Sequence, residues 1–403
     1  MQNQHQVFVV NCGSSSIKYQ LLSLPQGHVL VHGSVEGIGN PVCNHHYRIE
    51  SHELTLKSLV IADHHSAFLL IIKVLEEIIL DLGQHVLTAI GHRVVHGGEH
   101  FMAPTRITSE VLATIEQLSE LAPLHNPANA EGIRICQLLF PATPQVAVFD
   151  TAFHQTLPEF AYRYAIPEIW YQEYHIRRYG FHGSSHRYIA QKAAEFLQKP
   201  LTELNLITLH LGNGASACAI AKGVCVDTSM GFTPLEGLVM GTRSGDIDPA
   251  ITLFLQHSKG LAVERIDDAL NHQSGLQGLA GSYDMRVLLA KAGQGETTAS
   301  LAINIYTYRI KKYIGAYFAV LGQVDGIIFT GGIGENAPEI RLKCCENLEN
   351  FGVAVDHNLN QKAKANSTGI KLSVGAVPVL VINTNEELQI AHEALGVVLN
   401  TST

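Results

Sequence analysis

Positive charge is scarce in this sequence. Its 403 residues carry 27 Lys and Arg against 36 Asp and Glu, for a formal net charge of −9. With no basic run or stripe, nucleic acid is excluded as an expected partner. Long uncharged apolar runs are also missing. The most apolar stretch, Ala67 to Leu82, contains Lys73, Glu76, Glu77 and Asp81 and reads as a buried helix, not a membrane span. There is no Cys-x-x-Cys and no Cys/His ligand spacing. The seven Cys are scattered apart from adjacent Cys344 and Cys345, which points to reduced thiols in a cytoplasmic protein. The opening run Gln2-Asn3-Gln4-His5-Gln6 is polar and does not read as a signal peptide. No Gly-Lys-Ser/Thr loop and no Gly-x-Ser-x-Gly elbow occur, so neither a Walker A site nor a Ser-His-Asp hydrolase is expected.

Glycine-rich turns are what the sequence has. In Val7 to Leu22 an apolar run ends at Asn11-Cys-Gly-Ser-Ser-Ser-Ile-Lys18 and a second apolar run follows. This reads as strand, tight turn, strand, with N–H groups and hydroxyls at the tip. Such a tip is either a Ser-rich surface hairpin or a concavity for phosphate oxygens. Leu204 to Ile220 repeats the design around His210-Leu-Gly-Asn-Gly-Ala-Ser216, and Gly331-Gly-Ile-Gly-Glu-Asn336 follows a third strand, Val324–Thr330. Three turns at strand ends suggest a nucleotide held by two related domains. The first two suit phosphates; the third, opening a helix, suits the nucleoside or α-phosphate.

The length fits two domains. We expect an α/β fold with mixed sheets flanked by helices, joined near Asp150: residues 1–150 with a returning C-terminal helix at 385–403, and residues 151–384. Strands are expected at His28–Val35, His45–Leu56, Val86–Gly91, Gln145–Phe149 and Val377–Ile382. Helices are expected at Thr108–Leu121, Ala128–Leu139, Arg187–Leu197, Ala250–His257, Val263–Leu270, Met285–Ala292 and Thr297–Leu321, with a last one capped by Thr384-Asn-Glu-Glu387. Pro158 to Arg178 reads as loops and aromatics.

Arg93 and Arg243 stand in Gly-rich polar loops. Each is either a structural ion pair or a planar clamp for carboxylate or phosphate. Asn11, Asp150 and Glu386 are candidate oxygen ligands for Mg²⁺, which takes few protein oxygens; the alternatives are a turn cap for Asp150 and a helix first-turn carboxylate for Glu386. His125 and His182 precede helices and are either satisfied loop histidines or donors to a transferring phosphoryl group. His96, His154, His186 and His210 read as structural.

Nine segments in fixed order resemble the acetokinase family of the actin-like, sugar-kinase and heat-shock-chaperone ATPase superfamily. They are Asn11–Lys18, Gly91–Gly98, Pro123–Pro127, Val148–His154, Arg178–His186, His210–Gly214, Met240–Asp246, Gly331–Asn336 and Thr384–Glu387. The resemblance implies a two-domain actin-like ATPase fold and reversible transfer of the ATP γ-phosphoryl group to acetate, giving acetyl phosphate and ADP, with Mg²⁺ (or Mn²⁺). By position, Asn11 and Glu386 would hold the metal with Asp150 near. Arg93 and Arg243 would bind the carboxylate and the moving phosphoryl group, His182 would stabilise it, and His125 would assist. Val95, Leu124 and Pro234 would surround the methyl group. Ser14, Ser16, Lys18, His210, Leu211, Gly212, Asn213 and Gly214 would hold phosphates. Asp284, Met285, Arg286, Gly332, Ile333, Gly334, Glu335 and Asn336 would line the nucleotide pocket. It also implies a homodimer formed through the second domain. The alternatives are a propionate kinase of the same family and a nucleotide-driven ATPase without a small acceptor. The two Arg and two His argue against the last.

Overall fold

The structure is a computed structural model, and it describes residues 4–49, 52–81 and 87–400. Gln2, Asn3, Glu50, Ser51, Leu82 and Val86, which fall within or at the edges of segments read above, lie outside the described residues, as do residues 401–403. The chain divides into two compact units, Met1–Ala152 with Asn385–Thr403, and Phe153–Thr384.

The first unit is built on eight strands: β1 His5–Cys12, β2 Ser16–Leu24, β3 His28–Glu36, β4 Cys43–Ile49, β5 His52–Leu59, β6 Ala89–Val94, β7 Thr105–Arg106 and β8 Gln145–Phe149. Their order in the sheet is β5-β4-β3-β2-β1-β6-β8-β7. β1 runs parallel to β6, and β6 parallel to β8. Strands inside a parallel layer are covered on both faces, which is why β1 is a nearly continuous apolar run. Its alternation sorts the core. Phe8 and Val10 pack with Phe68, Ile71, Leu75, Ile135 and Cys136. Val7 and Val9 pack with Ile390, Ala391, Ala394 and Leu395. The first set comes from helices His64–Asp81 and Asn126–Leu139, and the second from helix Glu386–Asn400.

The second unit has β9 Asn205–Leu211, β10 Ala215–Ala221, β11 Val224–Thr228, β12 Gly326–Thr330, β13 Ile370–Lys371 and β14 Val379–Val381. The order is β11-β10-β9-β12-β14-β13. β9 is antiparallel to β10 and parallel to β12, which is parallel to β14. β1, β2, β6 and β8 follow the same plan. Helices Gly183–Leu197 and Thr297–Leu321 pack on this sheet.

Several expectations need correction. The strand expected at His45–Leu56 is two antiparallel strands, β4 and β5, with Ile49 paired to His52. Arg93 lies in β6, not in a loop: parallel pairing on both sides carries the strand through His92 to Val94. Gly331–Asn336 is itself a helical turn. Gly331 starts it at φ +76°, where a side chain is disfavoured, and the Glu335 carboxylate accepts from its N–H at 3.0 Å. The Pro158–Arg178 segment holds two short helices, Glu159–Tyr162 and Glu168–Tyr174. Helix Gly275–Ala280 was not foreseen. No helix among the described residues is long and apolar enough to cross a membrane.

Candidate active site

In the first unit the sheet register gathers the polar residues. Val10 pairs with His92, and Val94 with Phe149. Asn11, Arg93 and Asp150 therefore stand together at the carboxyl ends of three adjacent parallel strands, the edge where such sheets bind ligands. Gly91 precedes Arg93 on the same face, and a Cβ there would lie 2.8 Å from Ile390 Cγ2. Its bareness lets helix Glu386–Asn400 approach, which brings Glu386 within electrostatic reach of Arg93.

Arg93 donates from Nε to Asp150 Oδ1 at 3.0 Å and from Nη2 to Oδ2 at 2.7 Å. The structural ion pair anticipated as one alternative is thus present, and Nη1 is the part left for a ligand. Burial opposes the Arg93 charge, but Asp150 and Glu386 more than offset it, so its pKa is raised. Burial pushes the Glu386 carboxyl up to about 7; Arg93 pulls it down, while Asp150 and Glu387 add to the rise. The buried Asp150 carboxylate and the half-buried Glu386 carboxylate, with the amide of Asn11 on the neighbouring strand, form a hard oxygen set with more negative charge than Arg93 neutralises. That donor set fits a small divalent cation such as Mg²⁺.

The segment after Arg93 is fixed by two asparagines of the next helix. Asn129 Oδ1 accepts from Val95 N at 3.0 Å, and Asn126 Oδ1 from His96 N at 3.1 Å. Sequence reasoning missed both, although a buried Asn pair three apart on a helix is a readable signal. Val95 is 7 % exposed and Leu124 58 %. His125 is the residue before helix Asn126–Leu139. At the β1–β2 tip, Gly13 N donates to Ser16 O at 2.8 Å, and His64 Nε2 donates to Gly13 O at 2.8 Å. The pinned turn leaves Ser14 and Lys18 exposed and Ser16 half-buried.

In the second unit the β9–β10 turn plays the matching part. A Cβ on Gly214 would sit 3.5 Å from both Arg243 Nη1 and His182 Nε2, so the bare glycine leaves a cradle between a guanidinium and an imidazole. His182 holds a left-handed backbone, φ +59°, at the start of helix Gly183–Leu197. For a non-glycine residue that costs about 1 kcal/mol and marks a residue aimed for a purpose. Its Nδ1 lies 2.9 Å from Ser216 Oγ, which lies 2.8 Å from His186 Nε2, while His186 Nδ1 lies 2.7 Å from Thr208 Oγ1. Burial keeps His186 neutral. Ser216 and His186 therefore hold the ring of His182, a role the sequence did not reveal. The His182 and His210 rings lie 4.3 Å apart, and His210 Nδ1 is 2.7 Å from Ser185 Oγ.

Arg243 differs from Arg93. Its Nη1 donates weakly to Pro234 O at 3.4 Å, and burial lowers its pKa with no acidic neighbour to oppose the shift. Among the described residues it has no carboxylate partner. A largely buried cation without a counter-ion is an anion site in waiting.

Gly212, Asn213, Asp284, Met285, Arg286, Gly332, Ile333 and Asn336 line one cavity of about 590 Å³, a size suited to a nucleoside. Tyr283, Leu289 and Ala337 complete it and were missed. Three residues expected to bind phosphate or nucleotide do other work. The Glu335 carboxylate accepts from Gly331 N, Thr330 Oγ1 and Thr384 N. Leu211 is core, and Gly334 packs under Phe329. Asp284 caps its helix by accepting from Arg286 N at 2.9 Å, and hydrogen bonding to Arg286 holds its carboxyl down to about 2.

This arrangement has relatives. A family model described as the acetokinase family matches residues 6–392. An acetate kinase of Carboxydothermus hydrogenoformans is 48 % identical over 399 residues, covering 98 % of this chain and 99 % of that one. The crystal structure of Porphyromonas gingivalis acetate kinase aligns with a TM-score of 0.91 at 42 % identity, over 98 % of this chain and 100 % of the other. A propionate kinase from Francisella tularensis aligns equally well, TM-score 0.91 at 43 % identity, over 97 % and 99 %. Matches that run the length of both partners, at such identity, leave one assignment: this chain is a member of the acetokinase family, and so a kinase.

Proposed function

We propose that the protein is an ATP-dependent acetate kinase, transferring the γ-phosphoryl group directly to the acetate carboxylate and running in reverse from acetyl phosphate and ADP. The observation that carries this reading is Arg243, a largely buried guanidinium with no acidic neighbour, facing the Gly214 cradle beside His182. A pure nucleotide switch has no use for it.

The acceptor carboxylate is ionised at neutral pH and needs no base. What opposes reaction is the meeting of two anions. Arg243 supplies positive charge at the phosphoryl group, and His182, its ring held through Nδ1, presents Nε2 to the equatorial oxygens. Arg93 offers Nη1 to the acetate while Asp150 fixes its plane, and His125 assists. The turns at Ser14–Ser16 and Gly212–Gly214 hold phosphates, with Lys18 adding charge. The cavity at Asp284–Arg286 and Gly332–Asn336 takes the nucleoside, with Tyr283 and Met285 as apolar walls. Asn11, Asp150 and Glu386 would hold Mg²⁺, which when bound neutralises phosphate charge. A homodimer through the second unit is part of the proposal, supported by exposed Phe254, Leu301 and Tyr308.

Propionate is the second reading, favoured by the equal likeness to a propionate kinase. Val95 speaks for acetate, because a bulky buried residue leaves less room beyond a methyl group. The test is hydroxamate formation from ATP, Mg²⁺, hydroxylamine and each of acetate, propionate and butyrate. Highest kcat/KM on acetate supports the proposal. ATP hydrolysis indifferent to any carboxylate would overturn it.

A further inference from the structure

His154, Cys218 and Cys225 take no part in this chemistry, yet they converge. Cys218 lies on β10 and Cys225 on the neighbouring β11, while His154 reaches them from the turn Ala152–Thr156. His154 Nδ1 is 3.1 Å from Cys225 Sγ, and Cys218 Sγ is 3.4 Å from the same sulfur. All three ligand atoms lie within 4.8 Å of one another, and all three residues are buried. His154 Nε2 donates to Phe181 O at 2.9 Å. A carbonyl can only accept, so the proton is on Nε2 and the Nδ1 lone pair points at sulfur. A backbone carbonyl orienting the far ring nitrogen is the arrangement that metal-ligating histidines usually show.

We propose that His154, Cys218 and Cys225 form a buried three-coordinate site for a thiophilic monovalent cation, copper(I) by chemical class. Sulfur and imidazole together select soft, closed-shell ions over Mg²⁺ or Ca²⁺. Bond lengths near 2.3 Å to sulfur require the two sulfurs to sit about 4 Å apart in a trigonal plane. From 3.4 Å they need open by only about half an ångström. Coordination number chooses between copper and zinc. Structural zinc takes four ligands in a tetrahedron, and among the described residues no fourth His, Cys, Asp or Glu joins these three. Among the described residues no other three His, Cys, Asp or Glu side chains converge in this way. Entry is through β11, an edge strand joined to β10 across an irregular register at Ala219 and Ile220.

Binding forms two Cu–S bonds and one Cu–N bond and releases two protons to solvent, the one between Cys225 Sγ and His154 Nδ1 and the one on Cys218 Sγ; no electron is transferred. The test titrates reduced, anaerobic full-length protein with Cu⁺ buffered by a chromogenic chelator. We expect one tightly held equivalent, two protons released per ion, and an X-ray absorption spectrum of a three-coordinate mixed sulfur and nitrogen shell. Cys225→Ser, nearly isosteric, should weaken binding at least 100-fold, and Cys344→Ser should leave it unchanged. Thermal unfolding checks that each variant is folded, and Cys218→Ala replaces Cys225→Ser if that variant is not. Equal retention by the parent and the Cys225→Ser or Cys218→Ala protein would overturn the proposal. So would loss in Cys344→Ser, or Zn²⁺ displacing Cu⁺ at equal concentration.

Discussion

At the scale of single residues, the two arginines predict opposite behaviour. Arg243 has no acid beside it, and burial works against its charge. Replacing it with Met removes a buried, uncompensated cation. We expect Arg243→Met to keep or raise the melting temperature while kcat falls about 1,000-fold, as when a preorganised donor is lost. A large drop in melting temperature would make Arg243 structural instead. Arg93 is bonded through two nitrogens to Asp150. Arg93→Ala would leave a buried carboxylate alone, so both stability and kcat/KM should fall, the former by about 3 kcal/mol. In the proposed function Val95 borders the acyl group, where one methylene is worth about 1–3 kcal/mol. Val95→Ala should move the ratio of kcat/KM for propionate over acetate upward by about 10-fold; an unchanged ratio would take Val95 out of the pocket.

At the scale of elements, Gly241 ties a loop to the β9–β10 turn. Its N–H donates to Asn213 O at 2.9 Å, and a Cβ would lie 1.9 Å from Asn213 Oδ1. Gly241→Ala must push Asn213 aside, so KM for ATP should rise several-fold with little change in KM for acetate; equal changes in both would point to general disruption. These loops also mark how far the sequence could be read. Long periodic helices such as Thr297–Leu321 came out to the residue, because the apolar period and the change of composition at each end agree. The hairpin turns at Asn11–Lys18 and His210–Ser216 were legible because Gly and Ser punctuate an apolar run. What stayed hidden depends on pairing between distant strands. The bond from Arg93 to Asp150 exists because β6 and β8 are neighbours in parallel register, and no local pattern encodes that. The Ser216–His186 support for His182 joins a helix start to a strand in the same way. Glu335 looked like a ligand because it sits among glycines, but a carboxylate at the foot of a strand-to-helix turn has three N–H and O–H groups to satisfy first.

At the scale of the whole molecule, buried neutral histidines govern behaviour in acid. His92 is buried and donates from Nε2 to Gln145 Oε1 at 2.8 Å. Burial lowers its pKa from 6.5 to about 4. An unfolded chain therefore takes up the proton first, so the stabilisation is complete above pH 6.5 and is lost as pH falls towards 4. The shift corresponds to roughly 3 kcal/mol. Urea unfolding between pH 8 and 4 should show a steep loss that a His92→Gln variant reduces; matching slopes in the two proteins would exclude His92 as a source.

The first unit is assembled from both ends of the chain, with Phe153–Thr384 making the second between them. This has a consequence for biosynthesis. During synthesis the strands β1, β6 and β8 leave the ribosome early, but the helix that covers Val7, Val9, Ala89, Val146 and Val148 comes from Glu386–Asn400. At about 5–20 residues per second, that face waits on the order of ten seconds or more for its cover. The inserted unit has all its strands before the first unit can close. Glu386 arrives with the same helix, so the acidic cluster beside Arg93 is completed last. A nascent chain cut short within the inserted unit would thus display a bare apolar sheet and an unfinished acidic cluster beside Arg93, a form that chaperones and proteases can tell from the complete enzyme.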